Sequence, residues 1–193
     1  MEAAKRLLQG RRGLPLSDHE LCCIRAVSRH DLEALLELCT EHAAYEGVRY
    51  EPDGKADALA RALFTDPPRL HAWVVERAAR LVGYATATQE FSTWDAASFF
   101  HLDCLYLREE ARGAGLGRHL VREMARLARQ LGCVNVQWQT PVWNTRAISF
   151  YQRLGAEGKE KVRFVFSGDA LETFLATERK IPNVTMAPTD PGD

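Results

Sequence analysis

The chain has 193 residues, enough for one sizeable hydrophobic core and too few for two comfortable ones. Its 46% apolar and 26% charged composition is that of a globular protein, and 25 basic against 26 acidic side chains supply no bulk charge to attract nucleic acid or a membrane surface. Five cysteines (Cys22, Cys23, Cys39, Cys104 and Cys133) contain no C-x-x-C pair, which predicts reduced, mostly buried thiols and a cytoplasmic location, and no apolar run reaches the roughly 20 residues of a membrane span.

Residues 1–20 carry Arg11, Arg12, Gly13 and Pro15 without periodic pattern and are expected to be a flexible extension, with an apolar stretch at 3–8 too short for a signal-peptide core. An apolar run at 21–27 fits a first strand. Ser28-x-x-Asp31 then reads as a capping box, in which side-chain oxygens satisfy the orphan N–H groups of a starting helix. Leu32, Leu35, Leu36 and Cys39 give that helix its apolar stripe. A second helix is expected over 55–64, ended by Pro67 and Pro68. Residues 71–76 and 80–90 are rich in Val, Trp, Tyr and Thr and pair as a hairpin through a tight turn at Ala78-Ala79; 98–107 is a further strand.

The clearest helix follows. Leu116, Leu120, Val121, Met124, Leu127, Ala128 and Leu131 share one face, and arginines occupy the other. A strand is expected at 134–140, a helix at 144–154 closed by Gly155, and a last strand at 161–167. Residues 181–193, with three prolines, are expected to be a disordered tail, so that 21–180 forms the domain. Strands and helices in this order predict an α/β domain: a mixed sheet, part antiparallel and part parallel, with helices on both faces.

Between a strand and a helix stands Arg112-Gly113-Ala114-Gly115-Leu116-Gly117. Such a turn brings backbone N–H groups close to an anion, and the helix dipole favours negative charge there. It fits neither better-known phosphate turn: Arg118 stands where G-x-G-x-x-G needs a glycine, and no Lys-Ser/Thr follows as a P-loop requires. What fits is R-x-x-G-x-G. About thirty residues on, Asn144, Ala147, Phe150, Tyr151, Gly155 and Ala156 spell N-x-x-A-x-x-F-Y-x-x-x-G-A.

Together the two segments resemble the signatures of the GNAT N-acetyltransferases. The resemblance implies that fold, acetyl-CoA as co-substrate, and a CoA pyrophosphate held by Gly113, Ala114, Gly115, Leu116, Gly117 and Arg118 with charge from Arg112. It also implies a pantetheine arm beside Leu105, Tyr106 and Leu107, and contacts from Asn144 and Ala147. Within the superfamily the chain resembles the spermidine/spermine (diamine and thialysine) branch, through Ile24-Arg25, Tyr45-Glu46, Ser92-Thr93-Trp94, Leu102-Asp103 and Trp143-Asn144. That branch implies a small-molecule amine as acceptor and a homodimer. It extends to about residue 178, with an aromatic strand near Phe164 and a closing helix.

The chemistry sets its own demands. A primary alkylamine has a pKa near ~10.4, so about one molecule in 2,500 is neutral at pH 7, and a base or a desolvated site must raise that fraction. The resemblance makes Tyr151 the acid that protonates the leaving thiolate; as a residue it is equally a core aromatic on the 147–154 stripe. Asp103, where the branch carries glutamate, is the expected base or ammonium-binding carboxylate, since an aspartate on a buried central strand asks for a reason. Tyr45 and Glu46 are expected to wall the amine pocket. Gln137 and Gln139, alternating with a core Trp138, are expected to line it too. Asn144 reads as a helix N-cap whether or not it touches CoA. His101 and Asp103 share a strand face, but without a third ligand at useful spacing no metal is expected. Cys104 is expected on the opposite face, with no histidine to activate it. A protein lysine or N-terminal acetyltransferase and a non-catalytic CoA-binding module are the alternatives.

Overall fold

The computed structural model describes residues 22–177, so the expectations for 1–20 and 181–193 fall outside the described residues. The chain divides into two compact units between Phe150 and Tyr151.

The first unit is built on a five-stranded sheet in the order β1-β2-β3-β4-β5. Strands β1 (Cys22–Ala26), β2 (His71–Arg77), β3 (Arg80–Ser92) and β4 (Ala97–Leu107) pair antiparallel in succession, and β5 (Val136–Trp138) joins β4 in parallel. Helices cover both faces. On one, α1 (Leu32–Glu46) and α2 (Lys55–Phe64) bury Leu35, Leu38 and Leu63 against Val74, Leu81 and Tyr84. On the other, α3 (Leu116–Gln130) lays Leu116, Leu120, Met124 and Ala128 against Val75, Phe100 and Leu102. This is the mixed α/β architecture that the element order predicted.

Local chemistry explains the joints. The Asp31 carboxylate accepts hydrogen bonds from the backbone N–H and Oγ of Ser28, both at 2.7 Å, which starts a 3-10 turn (Arg29–Asp31) that leads into α1. Arg25 donates to both oxygens of the same carboxylate at 2.7 and 2.8 Å and to Glu76 across the β1–β2 pair. At the hairpin between β2 and β3, Ala78 and Ala79 both adopt left-handed backbone, the geometry that matches strand twist in a two-residue turn. Cys22 and Cys23 lie exposed on the edge strand β1, against the expectation of mostly buried thiols.

The second unit begins inside helix α4 (Thr145–Arg153) with Tyr151, whose carbonyl accepts the N–H groups of Leu154 and Ala156 around a left-handed Gly155. Helix α5 (Gly168–Ala176) follows, and Phe166 stacks on Phe174 at 5.1 Å. The strand expected at 161–167 does not form. Alternating Val162, Phe164 and Phe166 give β propensity, but a strand needs a ladder partner, and the segment pairs with none of the described strands. The expected strand at 134–140 also shrinks to the three residues of β5. Among the described residues no helix is long and apolar enough to cross a membrane.

Candidate functional site

Strands β4 and β5 run together only at Phe100–Val136, His101–Gln137 and Leu102–Trp138. Among the described residues β4 then continues to Leu107 paired with β3 alone, so its other backbone edge opens from Cys104 onward. The open edge leads through Arg108 and a short turn into the glycine segment. Gly113 (φ 88°) and Gly115 (φ 79°) both take left-handed backbone with nothing within 4 Å of an added Cβ. Gly115 precedes α3, and its carbonyl takes the N–H of His119 at 3.2 Å. The N–H groups of Leu116, Gly117 and Arg118 head the helix, where no intrahelical carbonyl can reach them. Gly117 has a different task. A Cβ there would stand 3.2 Å from Phe150 Cζ, so the missing side chain lets α4 pack on the start of α3. Asn144 is buried and accepts the Ala147 N–H at Oδ1 (3.1 Å), which is the N-cap expected of it.

Asp103 owes its place to a β-bulge. Thr86 opposes Cys104 and Ala87 opposes Leu102, which leaves Asp103 without a partner on β3. Alternation breaks there. Leu102 packs on the α3 side and Cys104 on the α1 side, and the Cys104 Sγ lies 3.7 Å from Asp103 Oδ2. The expectation that Cys104 faces away from Asp103 is therefore corrected, because one extra residue shifts the period-two pattern. Asp103 is exposed rather than buried, and takes a 3.4 Å hydrogen bond from Thr86 Oγ1. Burial, with the Asp103 charge adding to it, pushes the Cys104 thiol up to about 12, which keeps it protonated and a poor nucleophile.

Helix α1 supplies the facing wall. Tyr45 lies 6.5 Å from Tyr106 and 6.1 Å from Trp143, ring to ring. The Arg112 guanidinium stands 5.0 Å above Tyr45 and 5.7 Å from Tyr106, with Nε donating to Leu107 O at 2.7 Å. Its charge is thus spent on this aromatic wall. His42 stacks on Tyr106 at 5.2 Å, meets Tyr84 Oη at 3.0 Å through Nδ1 and Glu46 Oε1 at 3.4 Å through Nε2. Glu46 and Asp103 both act electrostatically on His42, as does Arg112. Gln137 is exposed and bonds to Asn135 (3.0 Å), while Gln139 lies beyond the end of β5. Trp138 packs with the α3-side core, as expected. Among the described residues no cluster of three His, Cys, Asp or Glu is spaced to hold a metal ion.

Sequence reasoning missed His42, Tyr84 and the aromatic face of Tyr106. His42 left one signal: it falls at i+7 from Leu35 and i+4 from Leu38, so a titratable ring occupies the apolar stripe of α1.

The acetyltransferase (GNAT) family model matches residues 31–156. A thialysine N-epsilon-acetyltransferase from Bos taurus is 28% identical over 160 residues, 77% of this chain and 94% of its own. A D-amino-acid N-acetyltransferase from Saccharomyces cerevisiae is 26% identical, covering 75% of this chain and 90% of its own. Among solved structures, an aminoglycoside N-acetyltransferase in complex with CoA superposes with a TM-score of 0.67 at 20% identity, over 80% of this chain and 99% of that one. With nearly two thirds of its length matched, an open β4 edge and a glycine turn ahead of α3, the chain belongs to the GNAT acetyltransferase family and is an enzyme of that family.

Proposed function

We propose that this enzyme transfers an acetyl group from acetyl-CoA to the primary amine of a small molecule of amino-acid type, by direct attack in a ternary complex. One observation carries the reading: β4 parts from β5 after Leu102, which leaves a backbone edge with no ladder partner among the described strands, leading to a glycine turn at the start of α3 of the kind suited to an anion. The edge at Leu105, Tyr106 and Leu107 suits an amide-bearing pantetheine arm, and the N–H groups from Gly113 to Arg118 suit its pyrophosphate. Asn144 and Ala147 flank the same cofactor, and Arg112 adds its charge once released from the aromatic wall.

The acceptor amine approaches Asp103, which the bulge presents to solvent beside the open edge. Loss of a proton to Asp103, directly or through water, frees the nitrogen lone pair to attack the thioester carbon. The C–S bond then breaks, the nitrogen sheds its second proton to water, and the CoA thiolate takes a proton from the phenol of Tyr151, a role carried by the family resemblance. The protonated state of Cys104 supports direct transfer over an acyl-cysteine route. Glu46 and Asp103, whose charges both reach His42, suit an acceptor ammonium, and the thialysine and D-amino-acid relatives act on amino-acid-type amines. Tyr45, Gln137 and Gln139 complete the acceptor side, and the enzyme works in the cytoplasm as a homodimer, which light scattering tests.

The purified chain with acetyl-CoA should release free thiol with lysine-like diamino acids, ornithine or D-amino acids. Absence of CoA release across these, polyamines and aminoglycosides would sink the reading.

A further inference from the structure

His42 is an unusual choice for the buried stripe of α1. Its side chain is only 14% exposed, yet both ring nitrogens meet polar partners: Tyr84 Oη at 3.0 Å and Glu46 Oε1 at 3.4 Å. A carboxylate can only accept, so a neutral ring satisfies both contacts in one tautomer: Nε2–H donates to Glu46, and Nδ1 accepts the Tyr84 hydroxyl. Stacking on Tyr106 at 5.2 Å and an edge contact with Tyr84 at 5.9 Å fix the ring plane. The groups around it come from four elements: Glu46 on α1, Tyr84 on β3, Tyr106 and Asp103 on β4, and Arg112 in the glycine turn.

We propose that His42 is a positioning residue of the acceptor site, which aims the Glu46 carboxylate at the acceptor ammonium when neutral and takes that carboxylate for itself when protonated. The inference rests on the acetyl-transfer reading given above. Burial holds the imidazole below its ordinary value against the opposing pull of Glu46 and Asp103, so it is neutral at pH 7. Below that range the imidazolium pairs with Glu46 and sets a positive charge beside the carboxylate that a cationic acceptor needs. Acceptor affinity then falls with pH, and acetyl-CoA affinity does not.

The test measures KM for amine and for acetyl-CoA separately, across acid to neutral pH, in the wild type, His42→Gln and His42→Ala. His42→Gln keeps a donor and an acceptor but does not titrate, so the acid-side rise in amine KM should flatten. His42→Ala should raise the amine KM about tenfold, as expected for losing a hydrogen bond to a charged group, with acetyl-CoA KM unchanged. The NMR titration of the His42 ring should move to lower pH in Glu46→Gln, since the carboxylate favours the imidazolium. An unaltered acid limb in His42→Gln, equal changes in both KM values, or a ring titration indifferent to Glu46→Gln would each overturn the proposal. Wild-type protein that turns over no amine would instead overturn the acetyl-transfer reading, and the NMR arm would still report whether His42 and Glu46 are linked.

Discussion

Arg108 closes a forked ion pair on Glu41, with Nη2 at 2.6 Å from Oε1 and Nε at 2.9 and 3.1 Å from the two oxygens. Arg108 is 7% exposed and also donates to Leu81 O at 3.0 Å, so the pair pins α1 to the end of β4, where the open edge ends. Glu41→Gln leaves this buried charge with only the weaker pair to Glu37, 3.9 Å from Nη2, and should cost about 2 kcal/mol, less than a fully buried pair because Glu41 is partly exposed. Urea denaturation checks this. Arg108→Lys should not restore stability, because a point charge cannot reproduce the fork.

The Ala78-Ala79 turn stores strain that a glycine removes. Both residues sit at positive φ (50° and 59°), where a Cβ crowds the backbone. Ala79→Gly should stabilise the protein by roughly 0.5–1 kcal/mol, the steric relief outweighing the extra entropy of glycine in the unfolded chain. Thermal unfolding would show a midpoint raised by a few degrees.

Gly83 is a different case. A Cβ there would lie 2.3 Å from Leu107 Cδ2 and 2.7 Å from Tyr106 O, and the latter is backbone that cannot swing aside. Gly83→Ala should destabilise by about 2 kcal/mol and displace the very strand edge proposed to bind pantetheine. Gly113→Ala meets no neighbour and should cost only about 1 kcal/mol of left-handed strain. Denaturation of both variants, with acetyl-CoA affinity by calorimetry, separates the two effects.

Acid should unfold the protein partly through Asp31. Hydrogen bonds from Arg25, aided by those from Ser28, hold its carboxyl well below the usual range. Its stabilisation is present above the unfolded value near ~3.9 and is lost as pH falls through the folded one. Asp31→Asn should therefore lower stability at pH 7 by about 2 kcal/mol and flatten the fall of stability below about pH 4. His42 adds a loss at higher pH: its depressed value means the unfolded chain binds the proton first, so stability drops as pH falls below about 6.5. A denaturation series from neutral to acid pH tests both.

Catalysis should divide between two side chains. Tyr151→Phe should lower kcat about a hundredfold, the usual worth of a positioned acid, with little change in acetyl-CoA binding. Asp103→Asn should abolish turnover or move the pH optimum upward, toward the free amine. An unchanged pH profile would remove Asp103 as base.

The repeating patterns were legible because they are local. Apolar spacing on α3, the Ser28–Asp31 cap, the Ala78-Ala79 turn and the Asn144 N-cap each follow from residues within a few positions of one another, and each is present as read except that Leu131 falls past the end of α3 and is exposed. The family signatures were legible for the same reason: left-handed Gly113 and Gly115 and the small Gly117 are requirements of single backbone positions. The strand expected at 161–167 failed because propensity supplies no partner.

From the sequence alone came the family, the glycine turn and Asp103, Glu46 and Tyr151 as the groups to watch. Only the tertiary structure revealed where β4 leaves β5, that a bulge turns Asp103 and Cys104 to one side, and that Arg112 lies on Tyr45 rather than reaching outward. It alone brought His42 of α1 to Tyr84 of β3, 42 positions away. The physical reason is that a bulge and a cross-element contact depend on register between strands and on packing between layers. No residue's own spacing encodes either.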